Sequence, residues 1–83
     1  MILDPSRDGC TIWAGNKVQF IKGDADECCK KIINYITDKW DDGTKHQWCF
    51  DVKLDTKGMG MGYADYFNRC GVEFIPVVLA RIV

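Results

Sequence analysis

The segment from Asp24 to Trp40 carries the pattern that most restricts what this chain can become. Ala25, Cys28, Cys29, Ile32, Ile33, Ile36 and Trp40 recur at helical spacing, while Lys30, Lys31, Asn34, Asp38 and Lys39 fall on the other side. An apolar stripe of that period calls for a helix lying on an apolar surface. Asp24 can cap its first turn, with Glu27 three positions on to complete the motif. Such a helix needs something to lie on, and the sequence on either side of it reads as strands.

Before the helix, "MILD" is a short apolar run that stops at Asp4-Pro5, and "DPSRDG" is dense in turn formers. "CTIWAG" and "KVQFIKG" then form a hairpin around Gly15-Asn16. After the helix, "QWCFDVKL" alternates: Trp48, Phe50, Val52 and Leu54 point one way, and Cys49, Asp51, Lys53 and Asp55 the other. "YADYFNRC" is a second helix with Tyr63, Phe67 and Cys70 inward and Gly71 as its stop. "VEFIPVVLARIV" closes the chain as a strand, and Pro76 assigns it to a sheet edge or a bulge. The order is β-β-β-α-β-α-β.

Three strands in quick succession make an antiparallel meander. The two later strands each follow a helix and return parallel to a predecessor by right-handed crossover. The expected architecture is an α/β domain with a mixed five-stranded sheet, strand order 3-2-1-4-5, and two helices. The first and fourth strands are then parallel neighbours at a topological switch point, where ligands bind beyond the strand carboxyl ends. Asp4 ends one of those strands and Asp55 the other.

Two carboxylates held side by side repel, so one takes a proton or a cation joins them. Mg²⁺ or Mn²⁺ suits oxygen ligands of this kind. A pair of such ions can activate a water and stabilise the leaving oxygen of a phosphodiester. Asp4 and Asp55 are therefore the candidate catalytic and metal-binding residues. The run "LDTKGMGMG" adds Lys57 and a loop of Gly58, Gly60 and Gly62, across which a phosphate could approach the amides of the next helix. The structural alternative is that Asp4 and Asp55 each simply open a turn, as aspartate often does.

Composition sets outer limits. With 83 residues, the chain is one domain with a modest core. A net charge of −1 argues against a strongly basic nucleic-acid binder, though a bound metal would bring its own positive charge. The five cysteines are odd in number, and Cys28 and Cys29 adjoin, which suggests free thiols in a reducing compartment. The opening residues lack the pattern of an export signal, and no apolar window is long enough for a membrane span. His46 and Cys49 have metal-like spacing, but four converging zinc ligands cannot be assembled from it. Trp13, Trp40 and Trp48 fit core positions better than base-stacking platforms.

"ILDPSRDGCTIWAG" resembles the opening of the ribonuclease H-like nuclease domain of phage terminase large subunits, and "LDTKGMGMGYADYFNRCGVEFIPV" resembles that domain's second acidic motif. The resemblance spans essentially the whole chain. It implies a ribonuclease H-like fold over residues 1–83, with Asp4 and Asp55 as the two metal-binding aspartates. It further implies Mg²⁺- or Mn²⁺-dependent cleavage of double-stranded DNA during phage genome packaging, in the cytoplasm of an infected bacterium, alongside other packaging proteins. The chain departs from the family in three ways. The family's C-terminal part, with its third acidic ligand, is absent. So is the preceding ATPase domain. Cys10 stands where the family often has an acid. Asp51 lies about 13 Å along the strand from Asp55, which leaves Asp8 as the candidate third metal ligand. Two other readings stay open: an accessory protein that keeps the fold and binds a protein or nucleic-acid partner without cleaving, and a phosphate- or nucleotide-binding module built on the glycine loop.

Overall fold

The structure is a computed structural model that describes residues 1–39, 41, 43, 45–47 and 51–79. Its elements are β1 (Ile2–Pro5), β2 (Gly9–Ala14), β3 (Lys17–Lys22), α1 (Ala25–Ile36), β4 (Thr37–Lys39), β5 (Lys45–Gln47), β6 (Lys53–Asp55), α2 (Gly60–Arg69) and β7 (Ile75–Val77). The main sheet runs β3-β2-β1-β6-β7. β1, β2 and β3 pair antiparallel, and β1, β6 and β7 pair parallel. With the small β4–β5 hairpin set apart, this is the expected order 3-2-1-4-5.

Both crossovers, β3 to β6 through α1 and β6 to β7 through α2, advance across the sheet in the same direction. A right-handed connection then places both helices on the same face. The core confirms it: Cys28, Cys29, Ile32, Ile33 and Ile36 of α1 and Tyr63, Ala64 and Phe67 of α2 bury with Leu3, Cys10, Ile12 and Leu54 of the strands. Leu3 and Leu54 are register partners, so the two central strands present one continuous apolar floor. Pleating sends the next residues, Asp4 and Asp55, to the opposite face. On that face Trp13, Val18, Phe20 and Ile75 are exposed. Trp13 is thus no core residue, because no described element covers its side of the sheet; Trp40 and Trp48 lie outside the described residues.

Local chemistry explains the element ends. The Asp24 side chain accepts from the Glu27 amide at 2.8 Å and starts α1 as expected. The helix stops at Ile36 instead of reaching Trp40. Thr37 turns to extended backbone, its hydroxyl donates to the Ile33 carbonyl, and residues 37–39 pair with 45–47. A β-branched residue whose hydroxyl can bond four residues back is a poor helix interior and a good exit.

α2 begins at Gly60, three residues earlier than its apolar stripe suggests, and ends in a Schellman turn. Gly71 has φ of +71°, the Val72 amide donates to the Phe67 carbonyl at 2.9 Å, and Gly71 donates to Asn68 at 3.3 Å. Val72 and Phe67 are both buried, supplying the apolar contact that accompanies this motif. Cys70, expected inward, is exposed: it is the cap residue, where the helical period no longer applies.

β7 is an edge strand, as Pro76 requires. The Ile75 amide donates to Val52, and the Val77 carbonyl accepts from Thr56, so Pro76 between them turns its missing donor away from the sheet. Among the described residues, regular pairing covers Ile75–Val77 of the longer strand expected.

Candidate functional site at the carboxyl ends of β1 and β6

β1 and β6 run parallel with Leu3 opposite Leu54, so Asp4 and Asp55 each follow one residue beyond that pair. Adjacent strands lie about 4.8 Å apart. The neighbourhood expected of the two aspartates is therefore present in the backbone. Asp4 is half-buried and Asp55 is 1 % exposed. That burial departs from the simple alternation of the strand, in which Asp51 and Lys53 are open to solvent. The cause is the loop that follows. The Lys57 amide donates to Asp55 Oδ1 at 3.0 Å, folding the chain back over the strand end. An aspartate accepting from the amide two residues on is an Asx turn, so one carboxylate oxygen already has a structural duty.

The three glycines after Asp55 serve different purposes. Gly58 has φ of +66°, which favours glycine. A Cβ on Gly60 would sit 1.8 Å from the Asp55 carbonyl oxygen, so only a hydrogen lets the start of α2 pass the end of β6. Gly62 faces open space and is under neither constraint. Lys57, Gly58 and Gly62 are exposed and Gly60 is buried. α2 starts at Met59-Gly60 with no side-chain cap and no acid in its first turn.

Asp8 lies on the β1–β2 turn with its side chain in solvent, 3.8 Å from the Arg7 guanidinium. The turn itself is tied by Ser6, whose amide donates to the Gly9 carbonyl at 2.8 Å. Among the described residues no three of His, Cys, Asp and Glu converge as a metal-binding group, so Asp8 does not join Asp4 and Asp55 in one cluster.

The thiols belong to the core. Cys10, Cys28 and Cys29 are fully buried and unbridged. Burial, reinforced by the neighbouring Cys28, pushes the Cys10 and Cys29 thiols up to about 12. Burial likewise raises Tyr63, whose ring faces the same thiols. Protonated thiols are neither nucleophiles nor metal ligands at neutral pH. Cys49 lies outside the described residues.

No family model, curated protein or solved structure matches the chain. Among the described residues no helix is long and apolar enough to cross a membrane.

Proposed function

We propose that this is a ribonuclease H-like domain of terminase type, in which Asp4 and Asp55 hold Mg²⁺ or Mn²⁺ and cut double-stranded DNA. The observation that carries the reading is the parallel register of β1 and β6, which brings an aspartate from each strand to the same sheet end. The donor chemistry fits: two hard carboxylates at one sheet end suit a divalent cation that keeps several waters. Bound there, the cation would supply an activated water and neutralise the leaving oxygen. The chain's own part is positional. The Lys57 amide fixes one Asp55 oxygen at the strand end. Lys57 and Gly58 offer a side-chain cation and an exposed loop to the phosphate. The uncapped start of α2 favours negative charge beside it.

The test is cleavage of supercoiled plasmid in Mn²⁺ by the wild type, Asp4→Asn and Asp55→Asn. Asparagine keeps the oxygen that accepts from Lys57, so the loop should hold while the charge goes. Nicking should disappear in both variants and in chelator. A folded wild type that leaves the plasmid intact at millimolar Mn²⁺ would refute the nuclease. It would favour the second reading, a non-catalytic binding protein.

A further inference from the structure

Among the described residues β3 is an edge of the sheet, six residues long, and pairs only with β2. A cleft of about 450 Å³ runs along it, between the strand and α1. Lys17 and the consecutive residues 19–22 border it on the strand side, and Lys31, Ile32 and Tyr35 on the helix side. Successive strand residues point to opposite faces. A cleft bordered by four in a row therefore reaches the edge of the backbone as well as one face. Its floor is apolar, from Ile12 and Ala14 of β2, and among the described residues no carboxylate lines it. The volume lies within the usual range for ligand sites.

We propose that this cleft takes an extended peptide segment that adds a strand to β3, with an apolar centre and a carboxylate at each end. Three features of the site select that occupant. The unpaired amides and carbonyls of β3 are satisfied by another strand, which a compact ligand cannot do along six residues. The cations stand at the two ends, Lys17 and Lys22, with Lys31 across the cleft, while Val18, Gln19, Phe20 and Ile21 lie between. An added antiparallel strand thus meets a cation, a mostly apolar stretch and a cation. A second copy of β3 is a poor occupant for the same reason. Its six residues carry two lysines and no carboxylate to answer Lys17, Lys22 and Lys31. The lysines therefore favour an acidic segment over the chain's own edge.

The probe is a blocked peptide of alternating valine and isoleucine flanked by glutamates, titrated into the isotopically labelled full chain. The readout is the backbone amide resonances. Saturating shifts should centre on residues 17–22 and on the α1 residues facing them. The same peptide flanked by lysines should bind at least tenfold more weakly. Methylating alternate peptide nitrogens should abolish binding, because strand pairing needs those donors. Lys17→Glu combined with Lys22→Glu changes only exposed residues, and should reverse the preference toward the lysine-flanked peptide. Absence of shifts in β3 at millimolar glutamate-flanked peptide would overturn the proposal. So would equal binding of the methylated peptide. Saturable binding of dodecanoate in the cleft with no response to peptide would also overturn it, identifying a site for small amphipathic anions instead. None of these readouts depends on Asp4 or Asp55, so the inference stands or falls apart from the nuclease reading.

Discussion

The two helices of this molecule start in opposite ways. α1 opens with Asp24 accepting from Glu27, and with Asp26 and Glu27 in its first turn, so its positive end is answered from within the chain. α2 opens on Met59 and Gly60, with no side-chain cap and no acid, against the buried end of β6. A helix start closed by its own residues is finished structure. The start of α2 lies against the end of β6 at Asp55 and carries no side-chain cap. The contrast teaches that glycine after Asp55 is required by packing at position 60, by backbone conformation at 58, and by neither at 62.

The largest expected effect tests the packing end of that contrast. Gly60→Ala forces a methyl group into the Asp55 carbonyl. Overpacking against backbone should cost about 3 kcal/mol or more, read as a large drop in the urea midpoint or as failure to fold. A variant of near wild-type stability would mean that α2 does not approach β6 as described. Next comes the cap of α1. Asp24→Ala removes the acceptor for the Glu27 amide and should cost about 1 kcal/mol, lowering Tm by roughly 4–8 °C in a domain of this size. An unchanged Tm would show that α1 is held by its buried stripe alone. The smallest effect has the opposite sign. Gly62→Ala meets nothing within 4 Å and lies in a helix. It should raise stability by about 0.5–1 kcal/mol. If it destabilised the protein instead, the distinction between positions 60 and 62 would collapse.

Much of the fold was legible because it rests on periodicity. The stripe from Cys28 to Ile36, the alternation of Val52, Lys53 and Leu54, and the placing of Pro76 and Gly71 all follow from repeat length and backbone chemistry. The β4–β5 hairpin was not legible. Its strands are three residues each and polar, too short to show a period, and a helix pattern runs into them from α1. At the site, sequence placed Asp4 and Asp55 on neighbouring strand ends, since topology alone decides that. The burial of Asp55 and its bond to Lys57 depend on how the loop folds back, and no spacing encodes it. The glycines read as one phosphate loop in the sequence because spacing cannot separate a close approach from an open surface. The cleft beside β3 was invisible for a further reason: it exists because α1 leaves part of the edge strand uncovered.

Pro76 has a consequence for assembly. Stacking of sheets edge to edge into an endless ribbon needs two receptive borders on every copy, because each unit must both give and receive a strand. Here one border presents, at the middle residue of β7, a ring nitrogen with no hydrogen to offer. Head-to-tail growth, with β3 of one copy laid on β7 of the next, would therefore lack a donor at the centre of every seam.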